Sequence, residues 1–398
     1  MYNITWTLVV IFYAFQMSMR IIPMQLLDYA VRELHFSTAD IGILTSIYYF
    51  GYALAHIPIG ILLDRFNPKY TLISSILICL IGLYALELTN STFTIFLGRF
   101  LVGFGSAGGI LGAVKVIYDF YPRNYSIMLG ITILIGVVGS YYSELPMENM
   151  LVGLSYEQGI QGLILFGMLL SASILAFYTN KKTPPQLLEM PITNTLISII
   201  SNKKLILVSI YSGLMIGPLE GFASIWGRNF LVQIYGMSAL DATQNISLIL
   251  IGLGIGCVIY GYLYPKVQNV PKSIAYVGIL MLLSMIMLIN YPIEYSSLTY
   301  IICFVIGICC AYQIFSFAMI SKFIPTKTIA LSTAILNMII MSFGFVYHNL
   351  IGFILSTFFI SDSFSSSIYS HDAYKAAFAP VLIGIAIGTF GFSRLKIK

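Results

Sequence analysis

Apolar runs of about twenty residues recur from one end of this 398-residue chain to the other. Each has the length that a helix needs to cross the hydrocarbon of a bilayer. Their limits predict about twelve spans, at 5–27, 39–62, 70–88, 93–120, 127–146, 159–178, 205–227, 242–264, 274–291, 298–320, 328–356 and 374–393. Composition closes off a soluble globule: 59% of the residues are hydrophobic and 9% charged, with a mean hydropathy of +0.92. That is too few charges to cover a water-facing surface. The expected fold class is an all-α integral membrane protein.

Placing the N terminus in the cytoplasm puts alternate loops inside. Lys and Arg in the loops then divide fourteen inside against three outside, the three being Arg32, Arg228 and Lys375. This positive-inside asymmetry predicts cytoplasmic termini and a multi-pass location in a bacterial-type inner (plasma) membrane. The net charge of +5 is then mostly topology and argues for no nucleic-acid partner. All five cysteines, Cys79, Cys257, Cys303, Cys309 and Cys310, sit in apolar spans with no paired extracellular set and no metal-ligand spacing. They read as small packing residues. The first apolar segment lacks a basic start and a small-residue cleavage site, so it reads as a retained helix rather than a removed signal peptide.

The longest polar interruption, Asn180 to Lys204, contains Lys181-Lys182, Pro184-Pro185 and Lys203-Lys204 and splits the chain almost evenly. It divides the sequence into 1–179, a cytoplasmic linker at 180–204, and 205–398. An offset of 201 residues superposes Ser37 on Ser238, Asp40 on Asp241, Ser46 on Ser247, Gly51 on Gly252 and Gly60 on Gly261. Both segments begin just outside the membrane and end at the next cytoplasmic loop, which is the positional signature of a duplicated half.

The loop after the second span reads Gly60-Ile-Leu-Leu-Asp64-Arg65-Phe66-Asn67-Pro68-Lys69. Charges and unpaired backbone at this density need water. Gly60 permits close helix approach, and Asn67-Pro68 stops the helix and reverses the chain. The stretch resembles the loop between the second and third helices of the major facilitator superfamily, roughly Gly-x-x-x-Asp-Arg-x-Gly-Arg-Arg/Lys. Gly60, Asp64, Arg65 and Lys69 match; Asn67 and Pro68 replace the usual second glycine and base. In the fourth span, Leu97-Gly98-Arg99-Phe100-Leu101-Val102-Gly103-Phe104-Gly105 is similar to the family's Arg-x-x-x-Gly-x-Gly pattern. The fifth span has no Gly-Pro pair of the kind found in proton-coupled drug exporters, which disfavours that branch. The resemblance implies two pseudo-symmetric six-helix bundles that rock about a central site. It also implies that Gly60, Asp64, Arg65, Lys69 and Asp119 form a charge network at the cytoplasmic face, latching the halves in one state and releasing them in another.

Ionisable groups within spans are costly and call for a partner, a wet cavity or a task. Arg20 lies about fourteen residues into the first span and shares a helical face with Tyr13 and Gln16. Its guanidinium fork suits a carboxylate or phosphate; the alternative is that it reaches the interface or pairs with a fixed acid. Glu220 follows Pro218 in the seventh span and falls, on the repeat offset, beside the position equivalent to Arg20. It is either a proton carrier or half of a permanent ion pair. Tyr49, Tyr52 and His56 share one face of the second span, with Tyr312 and Gln313 in the tenth, and His348 with Asn349 in the eleventh, as further candidates. Arg99, near the outer start of the fourth span, suggests a structural or gating role, and Lys115 either snorkels or pairs with Asp119.

Three buried bases against one acid tilt the expected substrate toward an organic anion or a zwitterion, such as an amino acid, short peptide, carboxylate or sugar phosphate. The expected function is secondary transport by alternating access, with protons as a candidate coupling ion. The remaining partners are the lipid bilayer and the solute itself; no cofactor or metal is expected, and the chain is expected to be a monomer. A drug or siderophore exporter and a non-transporting receptor or assembly factor on the same fold stay open. An enzyme is disfavoured, because the sequence has no phosphate-binding glycine loop before Lys-Ser/Thr, no metal-ligand cluster and no nucleophile with a placed base.

Overall fold

The computed structural model describes residues 2–21, 38–88, 91–144, 156–180, 191–291, 296–325, 328–357 and 369–396. Arg32, Ser37, Lys181, Lys182, Pro184, Pro185, Lys327 and Lys398, and the last part of the first expected span, lie outside them. The described elements are helical throughout: α1 Tyr2–Ile21, α2 Thr38–Arg65, α3 Pro68–Leu88, α4 Thr92–Phe120, α5 Tyr125–Glu144, α6 Tyr156–Phe177, α7 Ile192–Ile200 and α8 Lys203–Leu214. After a π-helical segment at Pro218–Trp226 follow α9 Gly227–Tyr235, α10 Ala239–Leu263, α11 Val270–Asn290, α12 Ser296–Cys310, α13 Gln313–Ile320, α14 Ile329–Thr357 and α15 His371–Arg394. Eleven helical runs among the described residues are long and apolar enough to cross a membrane. The first helix, Tyr2–Ile21, precedes them and carries Asn3, Gln16 and Arg20.

Polar side chains cap the starts of six helices. Asn67, Ser91, Asn202, Ser238, Asn269 and Ser370 each accept a backbone N–H from the first turn of the following helix. These are donors that have no intrahelical partner. Asn67 thereby fills the place of the family's glycine by capping α3 ahead of Pro68.

The helices fall into two compact units, Met1–Ser201 with Ser321–Met338, and Asn202–Ile320 with Ile339–Lys398. The first residues of α14 therefore belong to the first unit and the rest to the second. In the first unit α4 is the buried element, with α2 and α3 packed along it and α1 beside α5. In the second unit the tightest pairs are α10 with α12 and α11 with α15.

The offset seen in the sequence reappears as geometry. Adding 201 to Thr38–Arg65 gives 239–266, and α10 with its 3₁₀ extension runs from Ala239 to Lys266. A Cβ placed on Gly103 would run into the carbonyl of Tyr48, and one placed on Gly307 into that of Ile249, the residue 201 positions after Tyr48. Each unit thus crosses its second and fourth helices backbone to backbone at an equivalent point, which only glycine permits.

Two spans depart from the continuous helices expected of them. The seventh, expected at 205–227, is longer and broken. Helix α8 ends at Leu214, Pro218 supplies no N–H, and the chain continues as the π-helical segment and α9 to Tyr235. The tenth breaks between Cys310 and Gln313 with 3₁₀-type bonds from Ala311 and Tyr312 back to Ile308 and Cys309.

Candidate functional site

In the first unit, the face of α1 splits its predicted polar stripe in two. Gln16 is buried and donates from Nε2 to the Tyr48 hydroxyl at 3.1 Å. Arg20, in the last turn, donates from Nε and Nη2 to the Tyr49 hydroxyl at 3.0 and 2.6 Å, its guanidinium 5.0 Å from that ring's centre. Tyr13 goes elsewhere and packs its ring on Gly136 of α5. Arg99 is buried and lies 4.8 Å over the Tyr48 ring, donating to the carbonyl of Met19 at 3.2 Å and weakly to that of Arg20 at 3.5 Å. A cation on the last carbonyls of a helix meets the negative end of its dipole. Arg99 therefore fixes the end of α1 from which Arg20 projects, a structural role in line with its position near the start of α4.

Along α2, Tyr52, His56, Gly60 and Asp64 form one stripe in steps of four residues, and the opening turns of α14 answer it within the same unit. Tyr52 stacks on Tyr48 and meets His56 edge to face at 4.4 Å. His56 Nδ1 lies 2.6 Å from the Tyr52 carbonyl, which can only accept, so this nitrogen carries the proton. Its Nε2 then accepts from Asn337 Nδ2 at 2.8 Å, and the same amide reaches the Tyr52 hydroxyl at 3.3 Å. One turn after His56, Gly60 has no room for a side chain, since a Cβ there would lie 2.9 Å from Ala334 Cβ and 3.0 Å from Leu331 Cα. Asp64 ends the stripe. Its carboxylate accepts the N–H groups of Ala330 at 3.3 Å and Leu331 at 2.8 Å, capping α14 across a sequence distance of more than 260 residues.

The charges around Asp64 sort the predicted latch. Lys115 Nζ sits 3.6 Å from Asp64 Oδ1 of α2 and 3.6 Å from Asp119 Oδ1, one turn further along its own helix, and so bridges the two acids. Arg65 turns away and donates to Thr195 Oγ1 of α7 at 3.3 Å. Lys69 is half-buried in the first turn of α3, where its N–H binds the Asn67 side chain. The structure thus joins Asp64 and Asp119 through Lys115, sets Gly60 against Ala334 and Leu331 of α14, and gives Arg65 a bond to Thr195.

In the second unit, Glu220 is buried in the first turn of the π-helical segment. Its side chain packs on Gly344 of α14, where a Cβ would come within 3.1 Å of Glu220 Cβ. One turn further, His348 Nε2 lies 3.9 Å from Glu220 Oε2, and Ser224 Oγ bonds the Glu220 carbonyl at 2.5 Å while standing 3.4 Å from the same imidazole nitrogen. Asn349 instead bonds back to Phe345 of its own helix. At the break after α8, two tyrosines donate to carbonyls of its last turn. Tyr312 donates to Ser212 O at 2.5 Å and Tyr347 to Leu214 O at 2.8 Å, with Ser212 Oγ donating to Ser316 Oγ at 2.8 Å. Gln313, beside Tyr312, is buried. The breaks of the seventh and tenth spans are therefore tied to each other.

Sequence reasoning missed Asn337, Ser224 and the capping contact of Asp64 on α14. A buried amide in an otherwise apolar span was the one available signal for Asn337.

The chain belongs to the Major Facilitator Superfamily, whose family model matches residues 6–348. A nitrite extrusion protein of Bacillus subtilis (strain 168) is 21% identical over 210 residues, which make up 53% of this chain and 52% of that protein. A second protein of the same organism, the uncharacterized transporter YybO, is 30% identical over 90 residues, 23% of this chain and 21% of its own. The chain thus matches about half the length of the first relative and about a fifth of the second. Among solved structures, the E. coli fucose:proton symporter FucP superposes with a TM-score of 0.68 at 15% identity, covering 97% of this chain and 99% of that one. An outward-facing bacterial homologue of the iron transporter ferroportin superposes at 0.75 with 10% identity, covering 98% of each. At these identities the likeness establishes the fold, that of a multi-pass membrane protein.

Proposed function

We propose that this protein is a secondary transporter that moves a small organic anion or zwitterion by alternating access. The observation that carries the reading is Arg20, a guanidinium at membrane depth on the last turn of α1, oriented by the Tyr49 hydroxyl and by the anchoring of that turn on Arg99. With Lys115 placed between two acids and Arg99 on helix carbonyls, the preference for an anionic group rests on Arg20 rather than on a count of buried bases. The name of the nitrite extrusion protein, a relative over half the chain, points to a small anion as well. Tyr49 beside Arg20, with Gln16, Tyr52 and His56, supplies neutral hydrogen-bonding groups in the first unit, and Tyr312 and Gln313 are the candidates in the second. Tyr13, which packs on Gly136, contributes by shaping α1.

Glu220 is the proton carrier in this reading. A π-helical turn beside a proline break relaxes the backbone around it, and His348 and Ser224 offer the proton an adjacent acceptor. Asp64, Gly60, Lys115 and Asp119 form the latch, with Arg65 and Lys69 as its positive flank. Both termini and the Arg65 loop face the cytoplasm of a bacterial-type inner membrane, and the protein acts as a monomer.

Thermal stability of the purified protein against amino acids, short peptides, carboxylates, sugar phosphates, sugars and organic cations tests the solute class. A ligand at about a hundredfold excess over its Kd adds about 2.7 kcal/mol. An anion or zwitterion that stabilises the wild type and fails to stabilise Arg20→Ala is the expected result. Stabilisation by apolar or cationic compounds alone overturns it in favour of an exporter. Proton coupling is tested separately with Glu220→Gln, which is expected to abolish uptake driven by a pH gradient and to retain exchange.

A further inference from the structure

Helix α7, nine residues between the sixth and seventh spans, has a face that the rest of the described chain leaves open. One edge sits on the protein. Ile199 is buried, and Thr195 receives the Arg65 guanidinium at 3.3 Å while bonding back to the Pro191 carbonyl. The neighbouring edge carries Ile192, Ile197 and Ile200, which are 42%, 62% and 53% exposed. Asn194 and Ser198 lie on the opposite, polar side, while Thr193 falls among the isoleucines.

The depth of this helix decides what covers its isoleucines. Arg65 is the last residue of α2, so the bond to Thr195 holds α7 at the level where α2 leaves the hydrocarbon. At the same end Phe66 and Tyr70 are 60% and 62% exposed, aromatic residues of the kind that concentrate at membrane–water interfaces. The next span begins at Lys203, three residues after Ile200. A short helix pinned between two span ends, apolar along one edge and polar along the other, matches the pattern of a segment lying in the interface plane. The next two charges in the chain, Lys203 and Lys204, add attraction for anionic headgroups, as do Arg65 and Lys69.

We propose that α7 lies flat on the bilayer, with Ile192, Ile197 and Ile200 seated beneath the headgroups of anionic lipids. This needs only that the Arg65 end of α2 meets a membrane surface; it does not depend on the solute or on proton coupling. Through Arg65 the lipid surface is tied to the positive flank of the latch, so lipid composition bears on that flank.

The test places a bimane label at Ile197→Cys, with Asn194→Cys on the polar side as control and Ile200→Cys as a second apolar position. All five native cysteines are buried. The full-length protein is reconstituted in phosphatidylcholine vesicles with and without phosphatidylglycerol. A nitroxide near the top of the acyl chain should quench the labels at 197 and 200 about twofold or more above the label at 194, and aqueous iodide should reverse that order. Phosphatidylglycerol should strengthen the nitroxide effect in low salt and lose its advantage in high salt. Equal nitroxide quenching on both sides, or labels at 197 and 200 shielded from nitroxide and iodide alike, overturns the proposal, the latter in favour of a covering protein. Insensitivity to phosphatidylglycerol overturns its anionic part.

Discussion

Removing the Asp64 carboxylate should loosen the start of α14 by an amount that the geometry sets. The carboxylate is 8% exposed and accepts two backbone N–H groups at the positive end of a helix, with Lys115 at 3.6 Å. A hydrogen bond to a charged acceptor contributes roughly 1.5–3 kcal/mol, and loss of a helix N-cap costs roughly 0.5–2 kcal/mol. These terms overlap, because the same two N–H groups are counted in both, so the expected loss in Asp64→Ala is about 2 kcal/mol. Amide exchange of Ala330 and Leu331 reads the local opening directly. At about 1.4 kcal/mol per factor of ten, those two amides should exchange about thirtyfold faster. Asp64→Asn keeps one oxygen acceptor without the charge and should fall between, near fivefold by the same conversion, about 1 kcal/mol. Lys115→Met keeps both N–H bonds and tests the ion pair alone. If exchange at Ala330 and Leu331 in Asp64→Ala stays within error of the wild type while the protein remains folded, the capping argument is wrong and the latch reading loses its physical basis. Because Asp64 lies apart from Arg20, ligand-induced stabilisation should survive the substitution even where the transport rate falls.

Three further outcomes follow from packing and hydrogen bonding. Gly103→Ala and Gly307→Ala should each destabilise the protein by roughly 1–3 kcal/mol or prevent its folding, since the methyl meets a neighbouring carbonyl. Gly162→Ala, where an added Cβ meets nothing within 4 Å, should be neutral or stabilising in the same thermal unfolding assay. Tyr312→Phe keeps the ring but withdraws the donor from a buried carbonyl and should cost roughly 1–3 kcal/mol, measured by thermal unfolding in detergent. Nitrogen-15 spectra of the histidines should show His56 protonated on Nδ1, and Asn337→Ala should shift its Nε2 resonance; an Nε2–H tautomer would contradict the assigned network.

How much of this was legible in the sequence depends on whether one segment carried the signal. The helices were, because each apolar run is long enough to span by itself, and the duplicated half was, because an offset of 201 that aligns Gly51 with Gly252 also aligns helix limits. Pro218 announced trouble in the seventh span, though not that nine residues would take π-helical bonds. The break at Ala311 and Tyr312 had no local cause to read, neither proline nor glycine at the break. Its stabilising bond comes from Ser212, a hundred residues away.

The same division runs through the candidate site. Tyr49, Tyr52, His56, Gly60 and Asp64 could be placed on α2 from helical spacing alone, and Lys115 could be paired with Asp119 because they stand four residues apart. What spacing cannot supply is the second surface. Asn337 and the N–H groups of Ala330 and Leu331 carry no distinctive pattern within α14. They acquire a role only when α2 lies against them. The family resemblance therefore groups Asp64, Arg65 and Asp119 as one network. Physically, the carboxylate goes to a helix N-terminus and to Lys115, while the guanidinium goes to the linker helix. Adjacent residues at the end of α2 thus face different partners, one the opening turn of α14 and the other, on the proposal above, a helix lying on the bilayer. A substitution at Arg65 should then respond to lipid charge, and one at Asp64 should not.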